Sequence, residues 1–324
     1  MNRLIKEIRP NNDIYTYTYG ITSNMIEEVK KNGNTIKTFN YESGKLTEFT
    51  KNGKITNVEY DNYGNITKTD EAIITYNSRN LMDSYEKLNG DKYNYYYNYQ
   101  GIRFKKQKIN GNTINYILDG SRILGEDEVN PSGDIVRKFR YFYDAIGVCG
   151  IDYIVNNEHH YFNLIKDSLG NISKVMNHGK YVGEYTYDAW GNCEVSTSFS
   201  NDDIERYVVK HNPFRYKGYY YDEETQLFYC NYRYYSSELC RWISPDSIEY
   251  LDPSSINGLN LYCYCMNNPI MFVDPSGHAP WWSWALSGLQ LVAGVALCFV
   301  PGMQGLGASL AIGGATGLIM NQVS

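Results

Sequence analysis

The sequence predicts an all-β protein in which tandem hairpins join into one long sheet. Tyrosine is unusually frequent, with 33 Tyr among 324 residues, beside 28 Gly and only 9 Pro. Tyrosine favours strands and tolerates one end in water, and glycine supplies turns. Apolar and polar residues also alternate, as in Lys54–Tyr60, which gives a strand one apolar face. We therefore expect large, half-buried sheets.

A repeated unit runs along the chain: an aromatic strand, a Gly/Asn turn and a second alternating strand. Clear copies contain Tyr60–Ile66 and Tyr187–Asn192, and successive units carry Tyr19, Tyr41 and Tyr60 at corresponding places. The period of about 20 residues is what a two-stranded hairpin with its turns consumes. Because a single hairpin cannot bury its own face, neighbouring hairpins must stack edge to edge.

The turns carry their own signals. Asn–Gly pairs at 32–33, 52–53, 89–90 and 110–111 predict tight type I′ hairpins, since both residues tolerate positive φ. The Asp of the Asp-x-x-Gly-Asn turns could bind Ca²⁺, but the spacing lacks the dense ligand loop of such sites. We therefore interpret this Asp as a turn cap. The tyrosine stripes are interpreted as sheet packing, with a sugar-binding surface as the alternative.

Composition argues against several functions. The net charge of −6 argues against a nucleic-acid-binding surface. Seven Cys without C-x-x-C spacing do not support a disulfide scaffold. The five His lack metal-ligand spacing, and there is no G-x-S-x-G or phosphate loop, so neither a metal nor a cofactor is predicted. The N-terminus has no apolar run, so no signal peptide is predicted, and the chain reads as if it starts within the array.

The most specific stretch lies in the last third of the chain. It comprises Phe214–Asp222, Asn231–Tyr235, Arg241–Asp246, Asn267–Pro269 and Asp274–Gly277. This block resembles the core that ends the repeat region of bacterial Rhs (YD-repeat) proteins. The resemblance implies hairpins joined into a sheet that spirals into a shell around a passenger polypeptide, of which this chain is the last turn and plug. It divides the chain into repeats at 1–195, a core at 196–277 and a hydrophobic segment at 278–324.

The resemblance also implies a function. Such a chain is the encapsulation and delivery part of a bacterial polymorphic toxin, without the toxin domain itself. Its partner is the enclosed or downstream toxin polypeptide, and its location is secreted or at the cell surface. Three alternatives stay open: a cell-surface protein that binds carbohydrate, an autoproteolytic core, and a displaced cassette remnant.

Related cores in some toxin families cut themselves just after the final Asp-Pro-x-Gly motif, with two Asp and a nearby Arg. The matching positions here are Asp246 of Ser-Pro-Asp, Asp274, and Arg233 of Arg-Tyr-Tyr. The implied cut lies between Gly277 and His278. Two carboxylates held close together cannot both ionise comfortably, so one serves as an acid while the other activates water.

Three departures from the self-cleaving pattern are visible. The two carboxylates are 28 residues apart, longer than expected, and the extra residues bring a rival carboxylate, Asp252. His278 stands where cleaving relatives carry Leu. In the alternative interpretation both carboxylates cap turns, and Arg233 and Arg241 neutralise them in the core.

Two apolar runs end the chain, Trp281–Val300 and Met303–Met320, with Pro301–Gly302 between them. Each is long enough for about one bilayer crossing at 1.5 Å per residue. The Trp cluster suits a membrane interface, and the many glycines allow close helix packing. We predict a hydrophobic helical hairpin. It either inserts into a target membrane through 281–320 or, as the resemblance implies, is a pre-toxin linker held in the shell; a buried soluble hairpin is the third interpretation.

Overall fold

The structure, a computed structural model, describes residues 3–21, 23–198, 203–247, 260–274 and 277, and the backbone of 281–282. Within this described part, nineteen strands form one antiparallel sheet in which each strand pairs with the next along the chain. In chain order they are β1 (Lys6–Ile8), β2 (Ile14–Tyr19), β3 (Ile26–Lys31), β4 (Asn34–Glu42), β5 (Lys45–Lys51), β6 (Lys54–Tyr60), β7 (Ile66–Thr69), β8 (Ala72–Tyr76), β9 (Met82–Lys87), β10 (Lys92–Tyr97), β11 (Arg103–Lys108), β12 (Thr113–Asp119), β13 (Arg122–Val129), β14 (Ile135–Tyr143), β15 (Val148–Val155), β16 (Glu158–Lys166), β17 (Ile172–Asn177), β18 (Lys180–Tyr187) and β19 (Cys193–Thr197). The predicted all-β fold of tandem hairpins is confirmed.

The Asn–Gly turns fall into two groups. In the two-residue loops Asn32–Gly33 and Asn52–Gly53 both residues have positive φ, between 49° and 84°. This is the predicted type I′ geometry. At 89–90 only the glycine has positive φ, and at 110–111 only the asparagine does. The prediction is wrong for these two pairs because they lie in longer loops between their strands, and such loops are usually built around a type I turn.

The Asp-x-x-Gly-Asn turns are closed by their own side chains. Asp61 Oδ1 accepts hydrogen bonds from the backbone N–H groups of Tyr63 and Asn65, both at 2.9 Å, and Asp61 Oδ2 accepts one from Asn65 Nδ2 at 2.8 Å. The same arrangement recurs at 167–171 and 188–192. The geometry is that of the turn cap which the sequence favours over a Ca²⁺ site.

One face of the sheet is apolar and points inward. In β2 the residues Tyr15, Tyr17 and Tyr19 are buried, whereas Thr16 and Thr18 between them are half-buried and exposed, respectively. This period of two is the alternation read from the sequence. Burial of the alternating tyrosines accounts for the tyrosine stripe in this strand by packing.

A compact core fills the space that the sheet surrounds. Its described residues form one α-helix, α1 (Asp203–His211), a four-stranded sheet of β20 (Tyr220–Asp222), β21 (Leu227–Cys230), β22 (Arg233–Ser236) and β23 (Arg241–Trp242), and a pair of short strands, β24 (Phe272–Val273) and β25 (Trp281–Trp282). Short 3₁₀ turns lie at Tyr216–Gly218 and Cys265–Asn267. The helix was not predicted. Its acidic first turn, basic last turn and buried valines are local helix signals within a Tyr-rich β sequence.

The core contacts strands near the beginning of the sheet, in its middle and near its end. The sheet therefore curls around the core. These contacts include Lys37 with Glu238, Ile66 with Ile243, Arg103 with Asp222, Tyr116 with Tyr220, and Ile172 with Arg215. The two ends of the sheet also approach each other. Arg9 Nη2 lies 3.4 Å from Asp188 Oδ2, and the rings of Tyr17 and Trp190 are 6.0 Å apart. The result is a curved β-shell segment with a plug.

The C-terminal prediction lies mostly outside the described residues. There the structure gives only Trp281–Trp282, a short strand paired with Phe272–Val273. The first two residues of the apolar run are therefore extended rather than helical, since they complete a strand pair. The rest of 278–324, including the predicted hairpin and membrane segment at 281–320, is not described. Among the described residues no helix is long and apolar enough to cross a membrane.

Candidate functional site

Arg233 opens strand β22 in the middle of the core sheet. Strands β21 and β23 flank it and fix its backbone. Its side chain is 5% exposed, and its guanidinium carbon lies 4.2 Å from the centre of the Trp242 ring. A guanidinium is planar, stacks on aromatic faces and presents its donors in one plane. Stacking on Trp242 therefore sets the direction of the Arg233 donors.

All three guanidinium nitrogens of Arg233 have partners. Nη2 lies 2.7 Å from Asp246 Oδ2 and 3.4 Å from Asp274 Oδ2. Nη1 donates to the Leu261 carbonyl at 3.2 Å, and Nε donates to the Gly277 carbonyl. Because both carboxylates contact one nitrogen, their Oδ2 atoms lie within about 6 Å of each other.

Asp274 is held at both its side chain and its backbone. Its Oδ1 accepts a hydrogen bond from the Gly277 N–H at 2.8 Å, and the residue is 1% exposed. The Tyr219 hydroxyl accepts from the Asp274 N–H at 3.2 Å and donates to the Asp274 carbonyl at 2.9 Å. Tyr264 in turn donates to the Tyr219 hydroxyl at 3.1 Å. This network leaves Asp274 little freedom to move away from Arg233.

Gly277 occupies a place that other residues would enter only with strain. Its φ is +80°, and a Cβ built there would lie 2.5 Å from the Cys230 carbonyl oxygen. The Gly277 carbonyl belongs to the predicted scissile bond, and it accepts the Arg233 Nε hydrogen bond. Charge-assisted donors polarise a carbonyl and stabilise negative charge that develops on its oxygen.

The electrostatics centre on one buried cation. Burial lowers the pKa of Arg233, whereas Asp246 and Asp274 act to raise it. An arginine remains protonated in proteins, so the cluster holds one fixed positive charge between two carboxyl groups. Both carboxyl groups therefore face the same cation at one edge of its guanidinium plane, at Nη2.

Four of the predicted positions thus meet in one cluster: Arg233, Asp246, Asp274 and Gly277. The rival carboxylate Asp252 and the residue after the predicted cut, His278, lie outside the described residues. The turn-capping interpretation of the carboxylates also has support. Asp246 Oδ1 accepts a hydrogen bond from the next backbone N–H at 2.9 Å, and Asp274 caps the N–H of Gly277.

One part of the alternative interpretation is wrong. Arg241 does not neutralise these carboxylates within the described structure; its guanidinium lies over the Tyr262 ring, 4.4 Å from the centre. Successive side chains of a strand point to opposite faces. Arg241 therefore faces away from Trp242, whose ring stacks with Arg233.

The sequence did not predict several residues of this site. The Tyr219 hydroxyl has a sequence signal, because the residue lies inside the Phe214–Asp222 motif. The Leu261 carbonyl has none, since any residue provides a backbone carbonyl. The stacking of Trp242 under Arg233 depends on the pairing of β22 with β23, and spacing alone does not give that pairing.

A sheet of tandem hairpins that curls around a buried core defines a YD-repeat shell protein. The chain belongs to the teneurin YD-shell family, whose model matches residues 1–270. The resemblance to Rhs (YD-repeat) proteins is thereby confirmed.

Two sequence relatives and one solved structure agree with this family assignment. The chain is similar to the tRNA nuclease WapA of Bacillus subtilis, with 31% identity over 285 residues that cover 87% of this chain but only 12% of the relative. It is also similar to the toxin protein Tse5 of Pseudomonas aeruginosa, with 40% identity over 65 residues, 20% of this chain and 5% of that protein. The crystal structure of TcdB2-TccC3-Cdc42 superposes with a TM-score of 0.58 at 18% identity, covering 86% of this chain and 16% of that one. That likeness concerns the fold alone.

Proposed function

We propose that this chain is the encapsulation and delivery segment of a bacterial toxin of the Rhs type, secreted or at the cell surface. The observation that carries the proposal is a continuous sheet wrapped around a plug. The relatives described as nucleases or toxins supply the class of passenger. In this proposal residues 1–195 form the wall, 196–277 form the plug, and 278–324 lead to an enclosed or downstream toxin polypeptide.

The inner wall has a character that fits a passenger of variable sequence. A cavity of about 660 Å³ lies between the sheet and the core. Several of its charged groups have partners: Lys106 pairs with Glu224 at 3.0 Å, and Tyr220 donates to Glu126 at 2.5 Å. Paired groups of this kind offer no strong site for any one sequence.

Limited chymotrypsin digestion of the full chain tests the enclosure. Tyr63 and Tyr99 lie in outer turns and are 80% and 88% exposed, so cleavage is expected there first. We expect the aromatic and leucine sites of 281–320 to be cut later, because the shell restricts access. Cleavage of this segment before Tyr63 and Tyr99 would contradict enclosure.

Aggregation could also slow cleavage, so a matched variant is needed. Asp222→Asn weakens the attachment of the core to the sheet, and enclosure then predicts faster cleavage within 281–320. Both proteins are digested at a concentration where they are monodisperse. If cleavage within 281–320 is equally slow in Asp222→Asn and in the wild type, the shell is not the cause of the resistance.

We propose as a second function that the core hydrolyses its own Gly277–His278 bond. The observation that favours it is the hydrogen bond from Arg233 to the Gly277 carbonyl, with two carboxyls on the same guanidinium. In this scheme the ionised carboxyl removes a proton from water, which adds to the Gly277 carbonyl carbon. The protonated carboxyl gives its proton to the leaving nitrogen of His278 as the C–N bond breaks.

Intact mass of the purified chain tests this reaction. The wild type is expected to give two fragments that meet at Gly277 and His278, whereas Asp274→Asn and Asp246→Asn stay intact. Asp252→Asn is the matched control and is expected to cut normally. Loss of cutting in Asp252→Asn alone would transfer the role to the rival carboxylate. A full-length wild type would make the cluster a structural plug.

A further inference from the structure

Four Asn–Gly pairs lie in turns of the sheet, at 32–33, 52–53, 89–90 and 110–111, and all four asparagines are exposed. Such a pair is chemically reactive, because glycine has no Cβ to hinder the approach of its backbone nitrogen. That nitrogen attacks the side-chain carbonyl carbon of the preceding asparagine. The structure distinguishes the four pairs by the hydrogen bonds that hold these two groups.

The reaction has two steps. In the first, the glycine nitrogen forms a bond to the asparagine Cγ and gives up its proton, while the Cγ–Nδ2 bond breaks and ammonia leaves. The product is a five-membered succinimide ring, which water then opens to isoaspartate or aspartate. A hydrogen bond on either reacting group must break first, and one bond worth about 1 kcal/mol slows the reaction about fivefold.

Contacts of the side chain hold two of the asparagines. Asn32 Oδ1 accepts a hydrogen bond from the Ile14 N–H at 2.8 Å, and Asn32 Nδ2 donates to Asp13 Oδ1 at 2.8 Å. These two bonds fix the Cγ of Asn32 against the start of β2. Asn89 is held at one atom, because its Oδ1 accepts a hydrogen bond from the Asp91 N–H at 3.1 Å.

Backbone hydrogen bonds occupy the attacking nitrogen in two of the pairs. Gly90 donates its N–H to the Lys87 carbonyl at 2.9 Å, and Gly111 donates its N–H to the Lys108 carbonyl at 3.1 Å. An N–H that donates to a carbonyl is not free to attack. The longer loops at 89–90 and 110–111 are therefore protected by their own backbone.

The pair Asn52–Gly53 has neither kind of protection. Within the described part of the chain, the Asn52 side chain and the Gly53 N–H make no hydrogen bond. Its backbone matches that of the pair at 32–33, with φ of 49° and 81° against 50° and 84°. The two type I′ turns thus differ in the contacts of the asparagine side chain.

We propose that Asn52 is a modification site, at which the folded protein forms isoaspartate ahead of the other three Asn–Gly pairs. Isoaspartate adds one carbon to the main chain and one negative charge, so the tight turn that joins β5 to β6 loses its type I′ geometry. The preceding residue, Lys51, contacts Glu238 of the plug at 2.5 Å. The change therefore occurs beside a contact between the shell and the plug. This site is independent of passenger delivery and of self-cleavage.

Isoaspartate mapping of the full chain tests the site. The purified protein is aged at mildly alkaline pH and then digested with endoproteinase Glu-C, which gives the peptide Phe49–Glu59 with Asn52 in its only Asn–Gly pair. Fragmentation by electron transfer distinguishes isoaspartate from aspartate. We expect isoaspartate to form at Asn52 at least about fivefold faster than at the other three pairs, since each of those has at least one hydrogen bond to break.

Two controls separate the structure from the local sequence. In urea all four pairs are expected to react at similar rates, because the contacts that distinguish them are lost. Asp13→Ala removes a partner of Asn32 and is expected to speed the reaction at Asn32 about fivefold while leaving Asn52 unchanged. Equal rates at the four pairs in the folded protein would overturn the proposal. So would the same order of rates in urea, or an Asn32 that is indifferent to Asp13→Ala.

Discussion

Arg103 and Asp222 form a bidentate ion pair with both side chains completely buried, at 2.5 and 3.0 Å, although 119 residues separate them in sequence. Arg103 lies on β11 of the shell and Asp222 ends β20 of the plug. Lys106 adds a contact to Asp222 at 2.9 Å. Burial alone would raise the pKa of Asp222, but Arg103 and Lys106 hold it below its ordinary value. The shell and the plug are thus joined at a point where water has no access.

Asp222→Asn is expected to destabilise the protein strongly. It leaves the charge of Arg103 buried without a carboxylate, and breaking a buried pair in this way costs about 3–5 kcal/mol. Urea unfolding followed by tryptophan fluorescence measures the change. Arg103→Met is the matched control and is expected to cost less, because Asp222 then still contacts Lys106. Equal costs for the two variants would show that the charge left on Arg103 is not the main factor.

Gly183→Ala is expected to destabilise the contact between the helix and the shell. A Cβ at this position would lie 2.5 Å from Val209 Cγ1 of α1 and 2.8 Å from the Ser196 carbonyl oxygen. Overpacking of this kind costs about 1–3 kcal/mol. A double-mutant cycle with Val209→Ala measures the coupling, and part of the loss is expected to be recovered. Strict additivity of the two changes would contradict a clash between these residues.

The pKa of Glu7, which lies where the two ends of the sheet meet, predicts that folding stability depends on pH. Burial raises its pKa and Asp188 adds to this, whereas Tyr17 and Arg9 oppose it. The folded state therefore binds the proton of Glu7 more tightly than the unfolded state does. The stability that this gives is lost as pH rises above the unfolded pKa of 4.5. Glu7→Gln is expected to gain stability relative to the wild type from pH 5 towards pH 7, as measured by urea unfolding at each pH.

The control for this effect is Glu59→Gln, which also removes one negative charge. Glu59, unlike Glu7, is exposed and pairs with Lys68 at 2.6 Å. If the two variants change in parallel with pH, net charge rather than the burial of Glu7 explains the result. A constant difference between Glu7→Gln and the wild type across the range would also count against the shifted pKa.

Gly277→Ala is expected to strain the turn that carries the candidate scissile carbonyl. The positive φ alone costs an alanine about 1–2 kcal/mol. The contact of the new Cβ with the Cys230 carbonyl oxygen, at 2.5 Å, adds to that cost. Gly33→Ala is the matched control, since Gly33 has φ +84° and nothing within 4 Å of its added Cβ. The free energy of unfolding is therefore expected to fall more in Gly277→Ala than in Gly33→Ala. Equal decreases in the two variants would exclude the clash with Cys230.

The sequence by itself determined the strands, their inward faces and many of the turns. These features depend on residues that are close along the chain. In β2 the alternation of tyrosine with smaller residues decides which face is buried. In the Asp-x-x-Gly-Asn turns, Asp61 bonds to backbone groups only two and four residues away. Because these interactions are local, the pattern of residues is sufficient to predict them.

The candidate site could be predicted only in part. The motifs named Arg233, Asp246 and Asp274 through the resemblance to Rhs cores. They did not show that Arg233 contacts both carboxylates and the Gly277 carbonyl, or that Tyr219 holds the backbone of Asp274. The alternative interpretation, in which both carboxylates cap turns, assigned Arg241 to the wrong partners.

Tertiary structure decided the contacts between distant residues. The pairing of β22 with β23 places Trp242 under Arg233 and directs Arg241 to the opposite face, towards Tyr262. The curvature of the sheet brings Arg9 to Asp188, and the packing of the plug brings Arg103 to Asp222. Each of these contacts requires that the shell be assembled around the plug, because only then is the charge removed from water and its partner brought within hydrogen-bonding distance.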